Sequence, residues 1–475
     1  MRTTAREKDR ALLAEVVRVA WPIMLGTGSY TFMQFFDRLF LAHYDLTAIQ
    51  AALPAGILAF AFVAGFLSLC GYTNTLVAHF YGAGEPANCS RATFQGVIMA
   101  LGFWPLLAAM IPLGRQLLAM GGHPPQVRDQ EQIYFTILML GSAGPLLNAA
   151  LSGFFTGRGA TRVTMVTDII ANLLNIFLDY VLIFGRFGFP RLGILGAGIA
   201  TAVSGFAGPL LLLALFLSPQ VDREYATRRN LRWDPQLMRR MVRFGLPTGV
   251  QLVLDIASFE VFVMLAGRTG GIALAASNIA LSVNLLAFMP LVGLGITAAV
   301  LVGKYLGAGR PETAARVARR TLALGWAYTL LTGLMFVLVP DALLALFLTP
   351  GAGPTEEIFH IGRRLLLIMA IWGMADAVNL ILGGALKGAG DTRFVMLFSA
   401  AVAWLMLVPG QILIVIVAGK GIIASWWWTA AYIAVLAAGY AVRFRKGKWR
   451  YIDLLGRNVP LEPGRPAAEA LTSTD

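Results

Sequence analysis

The stretch Trp21 to Leu41, WPIMLGTGSYTFMQFFDRLFL, is the clearest indication of the fold of this 475-residue chain. It is a long apolar run, and a run of this length predicts a helix that crosses a bilayer. Pro22 stands near its start, where a proline removes a backbone hydrogen bond and can act as a kink or hinge. Asp37 stands near its far end. An ionisable side chain inside a membrane helix costs about 2.5–3.5 kcal/mol on insertion scales, so Asp37 marks a candidate functional site.

The composition extends this prediction to the whole chain. It is 57% hydrophobic and only 13% charged, with a mean hydropathy of +0.71, whereas soluble proteins have about 25% charged residues. Hydropathy predicts twelve apolar spans, the first at about 16–41 and the seventh at about 241–266. We therefore predict an all-α polytopic membrane protein with twelve transmembrane helices. The predicted organisation is an N-terminal lobe (1–217), a cytoplasmic linker (218–240), a C-terminal lobe (241–442) and a basic cytoplasmic tail (443–475).

The net charge of +13 is unevenly placed along the chain. Most Lys and Arg residues fall in the N-terminus, the even-numbered connections and the C-terminal tail, which is the positive-inside pattern. We therefore expect a protein of the inner membrane with both termini in the cytoplasm. The run RFRKGKWR, from Arg443 to Arg450, is typical of an anchor on anionic lipid. Because the basic residues are spread over several loops, we expect no nucleic-acid partner.

Cysteine and histidine give no sign of a disulfide or metal framework. Cys70 falls in a predicted span and Cys89 in a cytoplasmic connection, so they do not form a disulfide pattern. The four histidines are scattered without metal-ligand spacing. No Walker sequence is present, which argues against ATP as the energy source. We expect no cofactor.

Two pairs of connections repeat along the chain. The second connection reads VAHFYGAGEP from Val77 and the eighth reads VGKYLGAGRP from Val302, an offset of 225 residues. After spans four and ten stand GFFTGRGATR from Gly153 and GALKGAGDTR from Gly384, an offset of 231. Such matches predict two homologous six-span halves. The glycines themselves are best explained as tight turns with unusual dihedral angles.

The same offset of 225 carries Pro22 of span one onto Pro247 of span seven. We therefore interpret both prolines as candidate hinges. Because six is an even number of spans, the two six-helix bundles have the same topology and are expected to be related by a pseudo-twofold axis along the membrane normal. A cleft between such halves suits alternating access.

The first half carries a candidate ion site. Asp37 and Asp179 fall toward the external half of their helices, and Asn175 lies one turn before Asp179 on the same face. Two carboxylates and an amide at one depth could hold a proton or a small cation, since low dielectric and a second carboxylate both favour the neutral form of an acid. The alternative is that both acids are structural and fully hydrogen-bonded.

The second half carries a different set. Asp255 follows Pro247 by eight residues, and Asp376 lies at similar depth with Trp372 one turn before it. An aromatic face beside an acid suits an organic cation, and hard oxygen ligands suit Na⁺. Glu260 points about 140° away from Asp255 around the helix, toward a neighbouring helix or a substrate.

Shifting each acid by the repeat offset does not give another acid, so the scaffold is duplicated but its charges are not. Asn148 in span four is a candidate substrate-lining residue, and a hydrogen bond between helices is the alternative explanation for it.

The chain resembles the multidrug and toxic compound extrusion (MATE) family, in its NorM-like bacterial branch. The resemblance covers nearly all twelve spans. It rests on the pairing of Pro22 with Asp37, on the GAG connections, and on NIFLDYVLIFG from Asn175, GLPTGVQLVLD from Gly245 and ADAVNLILGGALKGAGDTR from Ala375. It implies export of amphipathic, often cationic small molecules in exchange for H⁺ or Na⁺, by a protein we expect to be a monomer surrounded by membrane lipids.

The resemblance also implies roles for particular residues. Those matching the family's proton-coupling residues are Asp37, Asn175, Asp179 and Thr201, and span one is expected to bend at Pro22. Those matching its cation-binding residues in the second half are Asp255, Asp376 and Trp372. Both sets of acids are present, so the coupling ion stays open, with Na⁺ possible at either set.

Two other functions fit the sequence less well. A lipid or lipid-linked oligosaccharide flippase of the same superfamily would need a basic cavity for a pyrophosphate, whereas the mid-span charges here are acidic. An intramembrane aspartyl protease would use the GxGD string that ends at Asp391. However, Asp391 falls in a predicted cytoplasmic turn and its repeat counterpart is Ala160, so a second catalytic acid is missing. We therefore expect no enzymatic activity.

Overall fold

The computed structural model describes residues 5–347 and 355–456, and within these ranges every regular element is helical. Twelve helical segments there are long and apolar enough to cross a membrane. The predicted all-α class and the number of spans are therefore confirmed. The first segment runs from Asp9 to Tyr44 and contains the whole stretch from Trp21 to Leu41.

The α-helices are numbered along the chain. They are α1 (Ala5–Tyr44), α2 (Leu46–Gly71), α3 (Thr73–Gly82), α4 (Pro86–Ala109), α5 (Ile111–Ala119), α6 (Pro125–Gly141), α7 (Ala143–Gly157), α8 (Thr161–Phe184), α9 (Ile194–Phe216), α10 (Pro219–Tyr225), α11 (Pro235–Ala266), α12 (Gly271–Gly307), α13 (Pro311–Leu338), α14 (Pro340–Ala345), α15 (Thr355–Gly388), α16 (Thr392–Val402), α17 (Val408–Ile412) and α18 (Ile422–Lys446). Two π-helical segments, Ala403–Leu407 and Leu413–Val417, alternate with α16 and α17 to complete the eleventh span.

The repeated glycine connections form the same turn in both halves. Gly84 and Gly309 both adopt positive φ, at 73° and 68°, a conformation that only glycine reaches without strain. The residue after each donates its N–H to the carbonyl five residues back, at 2.9 Å and 2.8 Å, which is the Schellman ending of a helix. Gly159 and Gly390 repeat this geometry. The interpretation of these glycines as turns is confirmed.

The predicted linker 218–240 is more ordered than a simple connection. It contains α10, and α11 begins at Pro235, six residues before the predicted start of span seven. The side-chain amide of Asn230 donates to the hydroxyl of Ser90 at 2.9 Å. At the end of α10, the backbone N–H of Arg228 donates to Asp222 at 2.8 Å and holds the pKa of that carboxyl below its usual value.

The chain divides into two compact units whose boundaries lie inside helices. One unit comprises Met1–Met24 with Val250–Asp475, and the other comprises Leu25–Gly249. We call them the second-half unit and the first-half unit. The two cuts fall 225 residues apart, the same offset as the repeat, and each lies two residues after the proline of its helix. These cuts differ from the loop boundaries suggested by hydropathy, because the starts of α1 and α11 each pack with the other half of the sequence.

The start of α1 is held in the second-half unit by charged side chains. Glu15 accepts hydrogen bonds from Lys304 Nζ at 2.7 Å and from the hydroxyl of Tyr305 at 2.5 Å. Asp9 accepts two from the guanidinium of Arg320. Apolar packing reinforces this attachment, since Val16 is fully buried in a cluster with residues of α12 and α13.

The start of α11 is attached to the first-half unit at the equivalent place. The backbone N–H of Asp234 donates to Gln95 Oε1 at 3.1 Å. Asp234 and Gln95 lie at the repeat offset of 225 from Asp9 and Arg320. The repeat therefore preserves the position of the attachment, while an ion pair in one unit is replaced by a neutral hydrogen bond in the other.

The basic tail is partly folded onto the second-half unit. Arg443 forms an ion pair with Asp391 at 2.7 Å, Arg450 forms one with Glu312 at 2.7 Å, and Trp449 is fully buried. Within the described part of the tail, Arg445, Lys446 and Lys448 are exposed. Residues 457–475 of the predicted tail lie outside the described residues.

Candidate functional site

The strongest candidate site lies in the first-half unit, where α1 and α8 bring two acids together. The carboxyl groups of Asp37 and Asp179 are in hydrogen-bonding contact with each other. Asp179 is fully buried, and its Oδ1 finds no donor among the described residues. Two carboxylates can hydrogen-bond only when one of them carries a proton. The pair is therefore a candidate site for one proton.

Asn175 connects the two acids, as its position one turn before Asp179 suggested. With its amide nitrogen facing the carboxylates, it donates to Asp37 Oδ1 at 2.9 Å and to Asp179 Oδ2 at 3.3 Å. Its oxygen then accepts from the hydroxyl of Ser204 on α9 at 3.3 Å. The amide orientation is chosen by these hydrogen bonds. Asn175 is fully buried, so it fixes the geometry of the pair.

Two further side chains border the acid pair. Tyr134 on α6 is in electrostatic contact with both acids, and its hydroxyl hydrogen-bonds to Thr201 on α9. Thr201 therefore reaches the pair through Tyr134 and not directly. Arg38, the residue after Asp37, is exposed and lies in electrostatic contact with Asp37. The first-half site is thus an acid pair with one exposed cation beside it.

In the second-half unit, Asp255 has different neighbours. Its Oδ1 accepts from the hydroxyl of Ser399 on α16 at 2.5 Å, and its Oδ2 accepts from Gln251 at 3.2 Å. Lys387, on the last turn of α15, lies in electrostatic contact with it. Both carboxylate oxygens therefore have hydrogen-bond donors, and a lysine lies near them.

Asp376 lines a small cavity of the same unit. Its Oδ1 accepts from Asn379 at 3.3 Å. The cavity has a volume of about 20 Å³ and is also lined by Asn284, Thr332 and Trp372. Such a volume holds about one water molecule, so it does not accommodate an organic molecule as it stands. Trp372 stacks on Trp426 with ring centroids 5.2 Å apart, which occupies one face of its ring.

The remaining predicted substrate residues lie apart from these clusters. Glu260 is exposed and has no hydrogen-bond partner within the described part of the chain. Asn148 on α7 donates to Asp168 on α8 at 3.4 Å. This contact joins two helices, as the alternative explanation of Asn148 requires, but its Oδ1 is left without a donor among the described residues.

The predicted hinges lie inside continuous helices. Pro22 belongs to α1 and Pro247 to α11. Each precedes a unit boundary by two residues, so the missing backbone hydrogen bond lies close to where the helix passes from one unit to the other. This position suits a hinge, which stays a prediction.

Several polar neighbours of the acids were not found from the sequence. They are Tyr134, Ser204, Lys387 and Ser399, all contributed by other helices. Lys387 lies on the last turn of α15, which continues to Gly388, beyond the apolar run that indicates the span. Asp168 lies on the same helix as Asn175, and its spacing was available from the sequence alone.

Comparison with known proteins identifies the family. The MatE family matches residues 22–181 and 247–413, two blocks whose starts lie at the repeat offset. The chain is 29% identical over 452 residues to the probable multidrug resistance protein NorM of Pseudomonas aeruginosa, covering 95% of this chain and 92% of that one. It is 30% identical over 438 residues to the NorM protein of Bradyrhizobium diazoefficiens, covering 91% and 92%.

Solved structures share the fold. A transporter of the MOP superfamily from Pyrococcus furiosus superposes with a TM-score of 0.82 at 19% identity, covering 94% of this chain and 100% of that one. An outward-facing multidrug resistance MATE transporter gives 0.81 at 18% identity, covering 95% and 98%. The resemblance proposed from the sequence is therefore confirmed, and the chain belongs to the MatE family of multi-pass membrane transporters, a family of multidrug efflux proteins.

Proposed function

We propose that this protein exports amphipathic organic cations in exchange for protons, by alternating access, as a monomer in the inner membrane with both termini in the cytoplasm. The observation that carries the proposal is the buried contact between the carboxyls of Asp37 and Asp179. One proton fits between two such groups. Its loss would leave two like charges in contact, which is unfavourable in low dielectric.

This arrangement can couple a proton to a conformational change. With the proton bound, the two carboxyls attract each other and hold α1 against α8. Without it they repel, and α1 can move away, with Pro22 as the place where the helix bends. One proton crossing 100 mV supplies about 2.3 kcal/mol, comparable to the energies that separate two states of a protein.

The neutral neighbours support a proton more than Na⁺. Asn175, Ser204 and the pair of Tyr134 with Thr201 orient the carboxyls without adding charge. A sodium ion would need several oxygen ligands around one point, whereas Asn175 turns its amide nitrogen toward the two carboxylates.

We assign the second half to substrate and stability. Asp255 balances Lys387, so its proposed part is electrostatic, and its use as a coupling or Na⁺ site would require Lys387 to move away. Asp376 and Trp372 offer an acid and an aromatic ring to an organic cation. Asn148 and Glu260 are proposed as further contacts with substrate.

The test is transport by the purified full-length chain in liposomes, with ethidium as the organic cation. A pH gradient and a sodium gradient are imposed separately. We expect the pH gradient to drive ethidium movement and the sodium gradient to leave it unchanged. Asp37→Asn should lower the pH-driven rate by at least about 100-fold, as for loss of a proton-transferring group, while the protein still accumulates and remains monodisperse.

Two results would contradict the proposal. Ethidium movement driven by sodium alone would transfer the coupling role to Na⁺. Normal pH-driven movement in Asp37→Asn would remove the acid pair from it. A lipid flippase is tested in the same vesicles with a fluorescent phospholipid, whose movement we expect neither gradient to drive.

A further inference from the structure

Helix α8 carries four polar side chains on one face. Asp168, Asn172, Asn175 and Asp179 follow each other at spacings of four, three and four residues. At about 100° per residue, these positions fall within an arc of about 60° and span about 16 Å along the helix. A stripe of this kind is rare in a membrane helix, because unpaired polar groups are costly there. The proposed function uses only the end of the stripe that contains Asn175 and Asp179.

Helix α1 faces this stripe over the same length. A Cβ at Gly26 would lie 3.3 Å from Oδ2 of Asp168, so the carboxyl reaches the backbone of α1. Three residues on, the hydroxyl of Ser29 accepts from the amide of Asn172 at 2.8 Å.

At the far end, Asp37 meets Asn175 and Asp179. The pairs Gly26–Asp168, Ser29–Asn172 and Asp37–Asp179 are separated by 142 or 143 residues, so the two helices run parallel and in register.

Asp168 resembles a site for a proton more than a member of an ion pair. Within the described residues, no charged side chain from α1, α7 or α9 is in electrostatic contact with it, and its polar partner is Asn148. The Oδ1 of Asn148 is buried and lacks a donor. A protonated carboxyl and a primary amide can exchange two hydrogen bonds, so a proton on Asp168 can supply the donor that is missing.

We propose that Asp168 is a second proton-binding site, which takes the proton released by the Asp37–Asp179 pair and passes it on at the Thr161 end of α8. The inference rests on the proposed proton coupling. In the transfer, an O–H bond at the pair breaks and an O–H bond at Asp168 forms, so charge and atoms balance. Because the acids are about 16 Å apart along the helix, water carries the proton between them, past the amides of Asn175 and Asn172 and the hydroxyl of Ser29.

The position of Asp168 links proton arrival to the hinge of α1. Gly26, which its carboxyl contacts, follows Pro22 by one helical turn. A bend of α1 at Pro22 changes the distance between Gly26 and Asp168. It therefore opens or closes the path at the Thr161 end of α8. In the proposed topology this end faces the cytoplasm.

The test compares three measurements on one preparation of the full-length chain in liposomes. They are ethidium transport driven by a pH gradient, ethidium–ethidium exchange at equal pH, and ethidium binding. Asp168→Asn keeps the shape of the side chain but cannot carry a proton. We expect its pH-driven rate to fall by at least about tenfold, in line with loss of a proton-transferring group, while exchange and binding stay within about twofold of the wild type.

The design includes a matched control and a second interruption of the path. In the control, Asp341→Asn, the same substitution is made outside the spans. There Arg363 donates at 2.5 Å and 2.7 Å and holds the pKa of Asp341 below its usual value, so no transport step should change. Asp168→Glu should restore most of the pH-driven rate, because the acid is kept. Asn172→Leu should slow the pH-driven rate alone, as Asp168→Asn does.

Each other outcome overturns the inference. Unchanged pH-driven transport in Asp168→Asn removes the residue from the proton path. A matching loss of binding and exchange makes it a substrate contact or a structural residue instead. Failure of the proposed function is distinguishable, because it would appear as absent pH-driven transport in the wild type, or as normal transport in Asp37→Asn.

Discussion

The two halves of this transporter place their buried acids among opposite neighbours. In the first half, Asp37 meets another acid, Asp179, whose Oδ1 has no hydrogen-bond donor among the described residues. In the second half, Asp255 accepts from Ser399 and Gln251 and is balanced by Lys387. The first arrangement changes greatly when a proton leaves, and the second changes little. A duplicated scaffold has therefore placed two acids against each other in one half, and an acid beside a lysine in the other.

The repeat offset shows how the difference arises. The counterpart of Asp37 in the second half is Phe262, which is fully buried and packs edge-on against Trp426 with ring centroids 5.5 Å apart. The counterpart of Asp255 in the first half is Tyr30. At both positions an aromatic residue stands where the other half has an acid, so the acids are not duplicated with the scaffold.

The proposed difference between the halves is tested most directly by neutralising one acid in each of them. Asp179→Asn removes the second carboxyl of the pair and should lower pH-driven ethidium transport by at least about 100-fold. Asp255→Asn removes a charge that is already balanced and should lower it by less than about tenfold. Both rates are measured in liposomes at equal protein content. Equal losses in the two variants would show that both halves carry the proton.

A second prediction concerns stability and should be confined to the second half. Lys387→Gln leaves Asp255 without its counter-charge, which should cost about 1–3 kcal/mol of unfolding free energy. The double variant Asp255→Asn/Lys387→Gln should recover most of that loss, because neither charge remains. Thermal unfolding in detergent, arranged as a double-mutant cycle, measures the coupling.

The matched first-half control for this cycle is Arg38→Gln. Arg38 is exposed, so its removal should cost less than about 0.5 kcal/mol. If the double variant were as unstable as Lys387→Gln alone, Lys387 would be stabilising the fold by packing and not by balancing Asp255.

The smallest expected effect concerns pH dependence in the first half. The positive charge of Arg38 favours the ionised form of Asp37, so Arg38→Gln should let the pair keep its proton to higher pH. The midpoint of ethidium-induced proton release should therefore rise, and only slightly, since an exposed charge is well screened. It is measured with a pH indicator in weakly buffered detergent solution. High salt should move the wild type in the same direction, and a shift to lower pH would contradict the sign.

Local features of the fold were predictable from the sequence. The turns at Gly84 and Gly309 follow from glycine chemistry, and the twelve spans follow from hydropathy. The link from Asn175 to Asp179 follows from helical spacing. By contrast, the hydrogen bond from Ser399 to Asp255 joins residues 144 positions apart. Such a contact depends on how two helices are rotated relative to each other. The periodicity of each helix does not determine that rotation.

The predicted roles of the site residues differ in how directly they could be inferred. Thr201 was assigned through resemblance, and its connection to the acids passes through Tyr134 of another helix. Asp168 could have been found, because the spacing of the stripe on α8 is visible in the sequence. The sequence does not indicate its partner helix, because the approach of Asp168 to Gly26 depends on how α8 packs against α1.

The exchange of helix starts between the two units has a consequence for how the protein is made. Asp9 and its partner Arg320 are 311 residues apart, and Glu15 and Lys304 are 289 apart. At a ribosomal rate of about 5–20 residues per second, the nascent first helix waits roughly 15 to 60 s for these partners to emerge. The start of α1 therefore lacks these partners during that interval, and a chain truncated after the sixth span would never gain them.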